Sequence, residues 1–232
     1  FMPQTAHGGK MEWLEDLLVK NEDGSYPVAD KLIEVAQTYG FEGWFMNQET
    51  EGTDEEPLTA DHAARMQQFI QYFKEQAPDL DLVYYDSMTV DGKMDWQNAL
   101  TEENLAYLVS EDGDPVADAM FLNFWWTSDT LADQSAALAS ENGINPYDLY
   151  AGVDIQSEGY NTEIKWDLFE NEEGGTYTSL GLYCPSWAYT SADTIQNFWK
   201  QENKLWVNSM GDPSADVKKL SNTQWKGISS YI

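Results

Sequence analysis

Apolar segments with strand character centre near Phe45, Val83, Leu122, Val153 and Leu182, at steps of 38, 39, 31 and 29 residues, with helical patterns in the intervals. This near-regular alternation constrains the fold more than any other feature, because strands separated by helices run parallel and are joined by crossovers. Runs such as FLNFWW and LYAGV are apolar on both strand faces, as expected of a sheet covered on both sides or closed on itself. The expected fold class is α/β, of the TIM or (β/α)8 barrel type. An open doubly wound sheet is the rival, but no glycine-rich phosphate loop follows any strand. With FMPQ at positions 1–4 counted as the remnant of a strand, the chain holds about six β/α units where such a barrel needs eight. The expectation is a single barrel domain over residues 1–232, short of one or two units at its N-terminus.

The helices are signalled unevenly. Residues 25–40 carry Pro27 in the first turn, Gly40 at the end, and an apolar stripe of Val28, Leu32, Val35, Ala36 and Tyr39. A second helix is expected within 58–79, capped by Thr59, burying Met66, Phe69, Ile70 and Phe73 and stopping before Pro78. Others are expected within 96–111, 130–143 (ended by Gly143) and 192–203, and the acidic segment 157–178 should hold a helix and a loop.

Charge excludes several partners. With 41 acidic against 12 basic residues the net charge is −29, which argues against nucleic acid and anionic membrane, since binding phosphates requires Lys and Arg. No run reaches the roughly 18 apolar residues of a spanning helix. The lone Cys184 rules out an intramolecular disulfide and a Cys-rich metal site, and its apolar neighbours suit a small core residue. His7 and His62 stand apart without ligand spacing, so no metal or cofactor is implied, and His62 is expected on a helix surface. Ten Trp and 13 Tyr exceed the needs of a core, and a Trp with one wet edge stacks on flat apolar faces such as those of sugar rings. A neutral carbohydrate ligand is the expectation. Oligomeric state is open, and so is the compartment: a bacterial source favours the exterior or cell surface, with the cytoplasm as the alternative.

In a parallel barrel the active site is built at the carboxyl ends of the strands. Polar groups collect at those ends: Asn47 and Glu49, then Tyr85, Asp86 and Ser87, then Asn123, then Asp154 and Gln156. Asp86 and Asp154 could equally cap the turns that follow. In GFEGWFMNQETEG (40–52), strand alternation sends Asn47 and Glu49 to one side and Met46 and Gln48 to the other. A shielded carboxyl can protonate a leaving oxygen and later activate water. A retaining glycosidase ordinarily needs a second carboxylate as nucleophile, and position 47 holds an amide instead. An amide can hold a 2-acetamido group so that the substrate's own carbonyl oxygen attacks, the substrate-assisted exception. Glu51 shares the parity of Glu49 and is the second choice as acid.

YPVADKLIEVAQTYGFEGWFMNQET, VYYDSMTVDGKMDWQNALTEEN and FLNFWW together resemble the catalytic barrel of glycoside hydrolase family 85, the endo-β-N-acetylglucosaminidases, and the likeness runs to the closing GDPSADVKKLSNTQWKGISSYI. The resemblance implies cleavage between the two core N-acetylglucosamines of N-linked glycans, with retention through an oxazoline, and transfer to other acceptors. It implies Glu49 as general acid and base, Asn47 as the residue orienting the acetamido group, and Tyr85 as a further bond to that group. Trp96, Asn123, Trp125, Trp126 and Asp154 would bind substrate. A chitinase-like glycosidase and a glycan-binding barrel without catalysis are the alternatives. The first ordinarily carries a carboxylate where Asn47 stands, and the intact Asn47–Glu49 pair weighs against the second.

Overall fold

The structure is a computed structural model that describes residues 8–86, 88–128, 131–208 and 225–231. The strand remnant expected at 1–4, His7, Ser87 and most of the closing segment lie outside the described residues. Among the described residues, five strands form one sheet: β1 (Gly43–Met46), β2 (Asp81–Tyr85), β3 (Ala119–Phe121), β4 (Leu149–Asp154) and β5 (Ser179–Tyr183). All pair in parallel and in sequence order, with Met46 beside Tyr84, Tyr85 beside Phe121, Phe121 beside Tyr150, and Asp154 beside Tyr183. A doubly wound sheet reverses direction at a switch point, whereas this order advances one strand at a time, as the wall of a (β/α) barrel does.

The helices are α1 (Met11–Leu17), α2 (Pro27–Tyr39), α3 (Ala60–Gln76), α4 (Leu131–Glu141), α5 (Trp166–Phe169), α6 (Trp187–Thr190) and α7 (Ile195–Trp206). In α2, Pro27 occupies the first turn and Gly40 ends the helix at φ 74°, a left-handed conformation that glycine adopts without penalty. Its buried residues are Ala29 and Ala36, with Val28, Leu32 and Ile33 packed partly against the core. Tyr39, expected in that stripe, is exposed and stacks on Phe41, because the helix has already left the sheet at its last turn. Met66, Phe69, Ile70 and Phe73 of α3 are fully buried. His62 corrects the surface expectation. Its Nδ1 accepts the backbone N–H of Thr59 at 3.1 Å, which leaves the ring proton on Nε2 for Glu15 at 2.7 Å.

The helix expected within 96–111 is absent; only a 3-10 turn at Leu105–Tyr107 forms there. Polar side chains hold the segment in another shape: Asn98 is left-handed at φ 56°, and Asn104 accepts the Thr101 N–H while donating to Ala99 O. Tyr107 is buried and stacked on Tyr84 with ring centroids 4.2 Å apart. The acidic segment 157–178 holds a 3-10 turn at Gly159–Asn161, then α5, then a bridge between Glu170 and Thr176.

Alternation along the strands separates two faces. Met46, Leu82, Tyr84, Met120, Leu122 and Leu149 pack against the helices in one cluster, and Ala151 and Val153 join Trp126, Trp166, Trp187 and Trp225 in a second. Four of the ten Trp residues are therefore core, Trp126 among them. On the other face, Phe45, Tyr85, Phe121, Phe124 and Tyr183 form a chain of ring contacts at 5.5–6.0 Å. The Phe121 ring lies directly over β4 and β5: a Cβ at Gly152 or Gly181 would come within 2.4–2.5 Å of it. No helix among the described residues is long and apolar enough to cross a membrane.

Candidate active site

The five strands run parallel, so their carboxyl ends share one rim, and strand parity decides which residues look into it. Asn47, Tyr85, Asn123, Asp154 and Tyr183 all continue the aromatic face. Just past β1 the alternation persists: Met46 and Gln48 are fully buried toward the helices, and Gln48 Nε2 bonds Thr50 O at 3.0 Å. Asn47 and half-buried Glu49 meet on the opposite side, with Asn47 Nδ2 donating to Glu49 Oε2 at 3.1 Å. Trp96 Nε1 donates to the other carboxylate oxygen at 3.2 Å. Glu49 is thus held between an amide and an indole. Glu51 is exposed at the start of a small excursion bridged between Gly52 and Pro57, away from this cluster.

Tyr85 donates its phenol proton to Asn123 Oδ1 at 2.9 Å, and the same oxygen accepts the Phe124 N–H at 2.8 Å. Burial pushes the Tyr85 phenol far above its ordinary range, and the negative charges of Glu49 and Asp86 push it the same way. It therefore stays protonated at any working pH. Asn123, two residues past β3, turns the chain with φ 61° while its side chain stays bonded to Tyr85. Tyr183 is raised too, first by burial, then by its hydrogen bond with Cys184 and the charges of Asp154 and Glu49. Cys184, expected in the core, is half-buried at the end of β5, where a φ of 57° swings the thiol to 3.5 Å from Gln156 Oε1.

The two tryptophans of FLNFWW part company. Trp125 is 71% exposed, and its backbone N–H is held by Asn98 Oδ1 at 3.0 Å. Trp126 is 1% exposed, donates Nε1–H to Gly152 O at 2.7 Å and packs on Phe169. Its reading as a sugar-stacking ring is corrected, because its faces are spent on the core and it only backs the cleft. That cleft, of about 290 Å³, lies between Trp125, Asp154, Thr162 and Glu163. Asp154 is exposed there, and its Oδ1 accepts the Gln156 N–H at 3.0 Å, so it caps its turn as well as facing the cleft. Asn98, Tyr183, Thr162 and Glu163 were not singled out from the sequence. Tyr183 was findable as the inward-facing last residue of its strand, whereas nothing local marks the other three.

Comparison with known proteins agrees with this architecture. The model of glycosyl hydrolase family 85 matches residues 1–232. The chain is 29% identical over 208 residues to cytosolic endo-beta-N-acetylglucosaminidase 2 of Arabidopsis thaliana, covering 85% of this chain and 26% of that protein. It is 25% identical over 216 residues to the human cytosolic endo-beta-N-acetylglucosaminidase, covering 89% of this chain and 26% of that one. The crystal structure of the glycoside hydrolase domain of Endo-D from Streptococcus pneumoniae R6 superposes with a TM-score of 0.82 at 32% identity, over 94% of this chain and 34% of that chain. The chain thus spans about a quarter of the length of these curated relatives. Its five-stranded parallel sheet belongs to a TIM-type barrel, and the chain belongs to glycosyl hydrolase family 85.

Proposed function

We propose that this chain carries the catalytic centre of an endo-β-N-acetylglucosaminidase that cleaves the GlcNAc-β1,4-GlcNAc bond in the core of N-linked glycans. The observation that carries the reading is the Asn47–Glu49 hydrogen bond, an amide and an acid side by side where an ordinary retaining site has two carboxylates. Protonated Glu49 donates to the glycosidic oxygen. As that bond breaks, the carbonyl oxygen of the neighbouring 2-acetamido group attacks the anomeric carbon and closes an oxazoline ring. Asn47, with its Nδ2 turned to Glu49, offers its carbonyl oxygen to the acetamido N–H, drawing electron density toward the attacking oxygen. Tyr85, a phenol kept protonated by burial, provides a second polar contact for the acetamido group. Glu49, now ionised, takes a proton from the water that opens the ring, so configuration is retained. A sugar hydroxyl in place of water gives transglycosylation. Trp96 and Trp125 present aromatic surface to the glycan, and Asn123 and Asp154 supply polar contacts along the rim.

The test is Glu49→Gln assayed on a high-mannose glycopeptide. Hydrolysis should disappear while glycopeptide binding persists. Retention of wild-type activity in that variant removes Glu49 from the role of acid.

A further inference from the structure

Asp86 follows Tyr85 at the end of β2 but takes no part in the chemistry proposed above; it is fully buried beneath the rim. Its carboxylate gathers donors from one loop: Oδ2 accepts the Asn98 backbone N–H at 2.5 Å, and Oδ1 accepts Asn104 Nδ2 at 2.8 Å. Its own N–H donates to Phe121 O at 2.9 Å, tying it to β3. The loop it holds is the one that replaced the expected helix, and it reaches the site twice. Trp96 donates to Glu49, and Asn98, whose Nδ2 bonds Trp96 O at 2.9 Å, accepts the backbone N–H of Trp125.

We propose that Asp86 is a positioning residue for the hydrolytic reaction: it fixes the Trp96–Asn98 loop that aims the indole N–H at Glu49 and anchors Trp125. The proposal rests on the function inferred above. Both partners are donors, so the ionised carboxylate satisfies both at once, which an amide cannot do. An Asn at 86 would accept from Asn98 but turn a donor on Asn104. The Asn104 amide is not free to rotate, because its Oδ1 is bound to Thr101 N and its Nδ2 to Ala99 O. The bond to Asn104 is lost, and the loop that carries Trp96 is held to position 86 at one point instead of two.

The experiment is a double-mutant cycle in the protein, with kcat and KM measured on an N-glycopeptide. Asp86→Asn should lower kcat on the order of 100-fold, the scale of a misplaced catalytic contact, with a far smaller change in KM. In a Trp96→Phe background most of that loss should vanish, because the loop no longer delivers a bond to Glu49. Equal losses in both backgrounds would mark Asp86 as merely structural and overturn the proposal. If Asp86→Asn does not fold, Asn98→Gly preserves the left-handed backbone and the bond to Asp86 while removing both side-chain ties to the site. It should lower kcat while the melting temperature falls by only a few degrees, and a wild-type kcat there overturns the proposal. Failure of the wild-type protein to cleave any N-glycan refutes the assigned activity instead, and is read separately from the variants.

Discussion

Adjacent tryptophans with opposite roles give a direct prediction. Trp126→Ala removes a ring that is 1% exposed, packed on Phe169 and bonded to Gly152 O. Truncating a buried Trp costs about 3–5 kcal/mol, and taking the donor from Gly152 O adds about 1 kcal/mol. For a domain of this size each kcal/mol lowers Tm by about 2–4 °C, so the midpoint should fall by about 10 °C or more. Trp125→Ala removes a ring that is 71% exposed and leaves intact the backbone bond to Asn98. Its stability effect should stay within about 0.5 kcal/mol. Loss of a stacking face worth about 0.5–1.5 kcal/mol should instead raise KM for the glycan roughly two- to tenfold. Thermal melts of the two variants, paired with initial rates on an N-glycopeptide, separate the roles. A Trp126→Ala protein that melts like the wild type, or a Trp125→Ala protein that loses several kcal/mol, would refute the division of the pair between core and rim.

Asp86 also makes stability depend on pH. Burial raises its pKa to about 7 against the bonds from Asn104, Asn98 and Gln97, while Asp95 adds to the rise. Because the folded-state pKa exceeds the unfolded one, its contribution is fully present below about pH 4 and is lost as pH rises through about 7. Some three pKa units correspond to about 4 kcal/mol. Unfolding free energies of wild type and Asp86→Asn, from denaturant titrations between pH 4 and pH 8, should shift relative to one another by about that much in the variant's favour, and a constant gap would contradict the assignment. At α3, His62→Ala should cost about 1 kcal/mol through loss of the cap on Thr59 N, with His62→Gln recovering part of it, as read by urea denaturation.

The sheet was legible because strand identity rests on apolar runs of strand length, which the helices between them do not disguise. Each expected strand centre falls inside a strand or, at Leu122, one residue past it. The pairing of Asn47 with Glu49 was legible for the same reason: alternation persists beyond β1 even though the ladder has ended. What sequence could not give was set by long-range partners. The pattern in 96–111 fits a helix, yet Asp86 binds the loop from across the strand end, and no local propensity encodes that bond. Trp125 and Trp126 are chemically identical neighbours, and only the position of Gly152 and Phe169 decides which one is buried. His62 read as a surface residue because its partner Glu15 lies in α1, a helix the sequence did not reveal.

The central claim is that the amide at 47 serves an attack by the substrate's own acetamido group, and one comparison of rates tests it most directly. Asn47→Ala should be severely impaired on an intact N-glycopeptide, where the oxazoline must be formed, and far less impaired in hydrolysing a preformed glycan oxazoline. Equal impairment on both substrates would contradict the account.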